Sequence, residues 1–404
     1  MQLTKKLTRL SLNSSFNSFS VMLLCLLMLK PYFIWSTFPF AIIIKSVLFF
    51  VAFVGLARSI LFIEFKKPEF FLIFLCLPYI LYRYILSDDT ITGLARFFYS
   101  GCLILVWILV LERIDIKKAF RYFSIVFACF GMTALIVWLL ALSGVVNYQV
   151  YPTIQPIEQI KVDAGIEYIV SFFVVWIDTL TICLGDNCIN RISGPFNEPG
   201  LYGTLAAIIL SANNFKLDKW YYKVILASGV LTFSLAFFAI SFIYLLIARF
   251  KVALSAIIFS LIVLSSFSQN EFVDKFVFSR LSFTDGTISG DNRSSSGFEE
   301  HYIQTLKSND FWLGNGFQAH SNLGVDVSSW KVIIYNLGVF GGVLFFIFIF
   351  STFIYVTKFK VNRNTFAFFM AFCASIYQRP DVITLPYLFL LMSGLRNLKS
   401  PAKS

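Results

Sequence analysis

The chain predicts an all-α integral membrane protein of about 12 transmembrane helices with two long outer-face loops, and three observations carry that prediction. Hydrophobic residues make up 58% of the 404 positions and charged residues only 14%, a balance rare in soluble domains. Apolar segments of membrane length recur from about residue 20 to about residue 395, leaving no room for a soluble domain of ordinary size. Most of the 33 basic residues cluster at the ends of these segments, as cytoplasmic loops require.

The spans, in order, are roughly 20 to 36, 39 to 57, 69 to 86, 92 to 111, 122 to 146, 199 to 214, 221 to 233, 235 to 249, 252 to 267, 330 to 357, 365 to 378 and 382 to 395. Twelve crossings put every basic cluster and both termini on the cytoplasmic side. Lys30 and Pro31 interrupt the first span, and no small-residue cleavage pattern follows it, so it reads as a retained helix rather than a signal peptide. The segments 221–233 and 235–249 are each short for a crossing. Two passes still fit best, because one long helix would put Lys216, Lys219 and Lys223 on the opposite side from Arg249 and Lys251.

Residues 1–404 thus form a single polytopic domain, with a first outer loop at 147–198 and a second at 268–329. The formal charge of +11 follows from topology. No face or tail is basic, so nucleic acid is excluded as a partner and membrane lipid is the expected surrounding. In the first loop, Tyr168 to Trp176 is apolar but too short to span, which predicts an interfacial or re-entrant helix. In the second, a short amphipathic helix is expected near Phe298 to Leu306. Cys183 and Cys188 in CLGDNC are open to disulfide pairing in an oxidising compartment or to remaining free thiols. With only two histidines in the chain, a metal centre is not expected.

The stretch RISGPFNEPG, Arg191 to Gly200, interrupts this apolar background. Gly194 and Pro195 make a turn, Phe196 offers an anchor, and Pro199 stands where a helix begins. Helix N-termini attract anions, and Arg191 adds a planar donor fork suited to phosphate oxygens. Glu198 at the mouth of the bundle is a candidate base. The structural alternative is that Glu198 caps the helix and pairs with Arg191. His301 in EEHY reads as a solvated helix position, and His320 as a loop residue or a proton acceptor. Trp312 and Trp330 are interface anchors or sugar-stacking platforms, and Lys45 is a deep charge open to pairing with Asp88 or Asp89 or to contacting a lipid diphosphate.

RISGPFNEPGLYG resembles a motif of the O-antigen polymerase and ligase superfamily, with the Wzy-type polysaccharide polymerases closest. Arg280, Asp291, Arg293, LGNG at 313 to 316 and YNLGVFGG at 335 to 342 follow in the order of that family's second loop. The resemblance covers about residues 185 to 350. It implies a multi-pass enzyme of the bacterial inner (cytoplasmic) membrane that polymerises undecaprenyl-diphosphate-linked oligosaccharide into O-antigen, capsule or exopolysaccharide at the outer face. Donor and acceptor are both lipid-linked glycans, and a chain-length regulator is an open partner. The leaving lipid diphosphate supplies the driving force, so no cofactor is needed.

Carried over, Arg191, Arg280 and Arg293 become diphosphate contacts, and Glu198 or His320 accepts the proton. The family's Arg after Thr-x-Ser is Leu235 here, and Arg379 in YQRPD is the residue available to replace it. The ligase branch favours a histidine just before the helix that follows the second loop, where this chain has DVSSWK; ligase remains the runner-up. A flippase for the same lipid-linked glycan is the rival class, and a non-catalytic assembly protein the third.

Overall fold

The computed structural model describes residues 14–31, 41–60, 67–85, 90–145, 153–154, 168–171, 174–177, 181–184, 187–266, 283–284, 287–288, 295–324, 327, 329–377, 379–380 and 383–399. The first half contributes helices α1 (Ser14–Met28), α2 (Ala41–Ile60), α3 (Lys67–Ile85), α4 (Thr90–Arg96), α5 (Cys102–Arg113) and α6 (Ile116–Leu142). A π-turn, Phe97–Gly101, joins α4 to α5. The second half adds α7 (Pro199–Ala212), α8 (Trp220–Val230), α9 (Leu235–Ala248) and α10 (Phe250–Ser266). Two loop helices, α11 (Ser296–Lys307) and α12 (Asp310–Leu313), precede α13 (Lys331–Thr357), α14 (Arg363–Ile376) and α15 (Leu385–Lys399). Among them α3, α6 and α13 are long and apolar enough to cross a membrane, and several others are shorter but strongly apolar. The chain is an all-α protein of membrane type.

α7 is the axis. Nearly every residue from Pro199 to Ala212 is buried, as an all-round apolar helix must be. Its small residues, Gly200, Gly203, Thr204, Ala206 and Ala207, let backbones approach closely, the usual basis of helix packing where lipid removes the hydrophobic drive. α9, α8, α15 and α14 surround it.

Contacts sort the helix termini into two ends. At one, Ser18 Oγ of α1 donates to the Asp115 carbonyl at the start of α6. There too Asn397 Nδ2 of α15 donates to the Ala212 carbonyl of α7, and Lys399 Nζ to the Val356 carbonyl of α13. This is the basic end. At the other, Tyr82 of α3 donates to the Leu313 and Leu337 carbonyls, at 2.8 and 3.1 Å. Trp138 of α6 donates there to the Asn190 carbonyl at 2.8 Å. This is the loop-bearing end. α8 and α9 reverse direction between the two. The turn after α8 takes Ile192 N–H on the Leu231 carbonyl, whereas Arg249 after α9 returns to Asn214 beside the end of α7.

The apolar run at Tyr168 to Trp176 is not the expected helix. Short strands β1 (Thr153–Ile154), β2 (Tyr168–Ser171) and β3 (Val174–Ile177) form an antiparallel sheet in that order. All its residues except Ser171 are β-branched or aromatic, types that lose χ1 freedom in a helix and fit a pleated surface. Ile169, Val174 and Trp176 pack against Ala134 and Val137 of α6. Next come the hairpin β4 (Thr181–Leu184) and β5 (Asn187–Asn190), whose register sets Cys183 opposite Cys188, and a small hairpin β6 (Phe283–Thr284) and β7 (Thr287–Ile288). The expected amphipathic helix of the second loop is α11.

Candidate functional site

The stretch RISGPFNEPG is clamped from both sides. Val175 N–H of β3 donates to the Gly194 carbonyl at 2.8 Å, and Ser193 Oγ donates to the Val175 carbonyl. Gly194 adopts φ +59°, and a Cβ there would meet the Tyr202 ring at 2.9 Å; backbone conformation and space both demand glycine. Phe196 is the anchor the sequence predicts, 1% exposed and stacked with Phe127, which in turn stacks on Tyr202 at 4.6 Å. Pro199 opens α7 at its first turn, where a missing N–H costs nothing.

The two charged residues of the stretch go to different partners from those the sequence offered. Glu198 makes no side-chain cap on α7. Its carboxylate pairs with Arg379, from the segment between α14 and α15, with both side chains partly buried. Arg191 instead donates through Nε to the Thr232 carbonyl at 2.9 Å and through an Nη to the Phe233 carbonyl at 3.1 Å. Those carbonyls sit in the turn between α8 and α9, so Arg191 staples the loop to that turn. The result is a carboxylate and a guanidinium above the N-terminus of α7.

At the same end of the bundle the second loop locks into α13. The helix breaks at Gly338, φ +64° and ψ −177°, a region essentially reserved for glycine. The break exposes carbonyls that LGNG then takes up. Asn315 N–H donates to the Tyr335 carbonyl at 2.9 Å and Gly316 N–H to the Asn336 carbonyl at 3.0 Å. Asn315 Nδ2 adds a second contact to Tyr335. The backbones at 314 and 338 lie so close that a Cβ on Gly338 would meet the Trp312 carbonyl oxygen at 2.3 Å. LGNG and YNLG are therefore one interlocked joint, with its irregular backbone satisfied by protein.

His320 lies on the short 3₁₀ turn Ala319–Leu323, and its Nδ1 and backbone N–H both meet the Asn336 side chain. Phe317 lies between two guanidinium groups, Arg83 at 5.1 Å and Arg96 at 5.6 Å from its ring centroid, both cation–π distances. Lys331 pairs with Glu299 at 2.6 Å and lies over the Tyr302 ring at 5.5 Å. Burial, and then the Glu299 carboxylate, hold the Tyr302 phenol above its usual range.

Of the predicted site residues, the structure joins Glu198 to Arg379 and places Arg191 and His320 at the same end. Arg280 and Arg293 lie outside the described residues, as do Asp88, Asp89 and the Lys45 side chain. His301, Trp312 and Trp330 are exposed. Sequence reasoning passed over Tyr82, Arg83 and Asn336. Arg83 had a signal, being a charge between two tyrosines near the end of an apolar helix; Asn336 had none, since its role depends on the break at Gly338. Among the described residues no cluster of three His, Cys, Asp or Glu side chains is placed to hold a metal ion.

No family model matches the chain. Neither does any curated protein or solved structure.

Proposed function

We propose that the chain is a lipid-linked oligosaccharide polymerase with twelve crossings and cytoplasmic termini. It would extend undecaprenyl-diphosphate-linked glycan at the outer face of a bacterial inner membrane. The observation that carries the reading is the Glu198 and Arg379 pair above the α7 N-terminus, in the stretch whose sequence resembles the polymerase motif. The loop-bearing end is the outer face in this reading, because the opposite end gathers the basic clusters.

In the reaction the donor diphosphate competes for Arg379, whose planar fork suits phosphate oxygens, and so releases Glu198. The acceptor hydroxyl oxygen bonds to the anomeric carbon of the donor and passes its proton to the Glu198 carboxylate. The bond from that carbon to the diphosphate oxygen breaks, and its electron pair leaves with the lipid diphosphate. Arg191, committed to two carbonyls, is a positioning residue that holds Glu198 in place. Arg280 and Arg293 supply further diphosphate contacts, and His320 is the alternative proton acceptor.

The test is to measure lipid-linked repeat units in cells carrying Arg379→Ala or Glu198→Gln at matched protein level. Accumulation of single lipid-linked repeats on the outer face is expected. Accumulation on the inner face would point to a flippase, and normal polymer from both variants would sink the reading.

A further inference from the structure

The short turn that bears His320 is held at both ends. Gln318 before it and Gly324 after it lie in the left-handed region, at φ +61° and +64°, and its Ala319 and Leu323 pack against Phe298, Tyr302, Val332 and Tyr335. Asn336 of α13 is 8% exposed and meets this turn. Its backbone carbonyl serves the joint through Gly316. Among the described residues, every hydrogen bond of its side-chain amide goes to His320.

Those contacts fix which way the amide points. The His320 backbone N–H can only donate, and it lies 3.1 Å from Asn336 Oδ1. A flipped amide would set its NH2 against that N–H, donor against donor. With Oδ1 so placed, Nδ2 lies 2.9 Å from His320 Nδ1, whereas Oδ1 is farther from it at 3.2 Å. Nδ2 can only donate, so Nδ1 accepts with its lone pair. The one proton of the neutral ring then sits on Nε2. The ring is partly exposed, and Nε2 has no hydrogen-bond partner among the described residues.

We propose that Asn336 is a positioning residue that holds His320 with its proton on Nε2, so that His320 serves the reaction as a hydrogen-bond donor to an oxygen of the lipid-linked substrate. The donor role rests on the polymerase reading. It also decides between the two proton acceptors named for that reading. The free lone pair of the neutral ring is turned to Asn336 and spent there, so Glu198 takes the proton of the acceptor hydroxyl. His320 neither gains nor loses a proton during turnover. A fixed donor aimed at an oxygen where charge develops is worth about a hundredfold or more in rate, and a partner that fixes the tautomer is what keeps such a donor in place.

The sequence holds two histidines, so the purified full chain carrying His301→Gln has a single imidazole. Labelled with nitrogen-15 histidine and held in lipid bilayers at about pH 8, where an ordinary imidazole is neutral, it should show by solid-state NMR a proton on Nε2 and a bare Nδ1. Adding Asn336→Asp, whose carboxylate accepts and does not donate, should place a proton on Nδ1. A proton on Nδ1 with Asn336 in place, or no change in Asn336→Asp, would overturn the role of Asn336. Polymer yield in cells tests what the Nε2 proton is for. His320→Ala should lose about a hundredfold. His320→Gln, whose amide offers a donor near the same place and no basic nitrogen, should stay within about tenfold of the parent. Equal loss in both variants, or loss in neither, would overturn the donor role. If deleting the whole chain leaves polymer unchanged, the polymerase reading fails and takes the donor role with it, while the spectrum still decides the assignment of Asn336.

Discussion

The two ends of the bundle use their charges differently. At the loop-bearing end each described cation named at the site has a partner. Arg379 has Glu198, Lys331 has Glu299, Arg191 has two backbone carbonyls, and Arg83 and Arg96 share the Phe317 ring. At the basic end two ion pairs, Glu69 with Arg113 and Glu112 with Arg396, tie helix ends together around a cavity of about 1170 Å³. The first arrangement fixes the loops, and the second fixes helix ends. A reaction centre needs placement to within a fraction of an ångström.

Substitutions test this contrast, and the largest effect belongs to the joint that shapes the loop-bearing end. Gly338→Ala must strain a glycine-only backbone and displace the Trp312 carbonyl. It should destabilise the protein by more than about 3 kcal/mol, read as a collapse of thermal stability in detergent. At the basic end Glu69→Gln should cost about 3 kcal/mol in the same assay, because the Glu69 side chain is 4% exposed and Arg113 would keep a half-buried charge. An unchanged melting temperature would show that this pair is solvated. Arg191→Lys keeps the charge but loses the fork on Thr232 and Phe233, an expected loss of about 1–2 kcal/mol. Limited proteolysis within 191–198 should accelerate correspondingly. Lys331→Met should be smallest, under about 1 kcal/mol, since both partners are roughly a third exposed.

Local apolar pattern made most helices legible. The segment predicted at 330 to 357 is α13 at Lys331–Thr357, and the short pair at 221 to 249 is α8 and α9 with a turn between them. Tyr168 to Trp176 failed because a nine-residue apolar run carries no period that separates helix from strand; β-branched content held the answer. At the site, the Gly194 turn, the Phe196 anchor and the Pro199 helix start were local and readable. The pairing of Glu198 with Arg379 was not, because it spans 181 residues of chain and Arg191 stood nearer in sequence. Likewise LGNG and YNLG were visible as motifs, but only the break at Gly338 reveals that they interlock. The basic clusters read as topology alone, and the cavity beneath Lys358 and Lys399 emerges only when four helix ends meet.

The central claim is that chemistry resides at the loop-bearing end, on Glu198. Its most direct test is the length distribution of surface polysaccharide from cells with the chain deleted and from cells carrying Glu198→Gln or Lys219→Gln at matched protein level. A ladder collapsed to the single-repeat band in the first two and intact in Lys219→Gln is the predicted result. A full ladder from Glu198→Gln would contradict it.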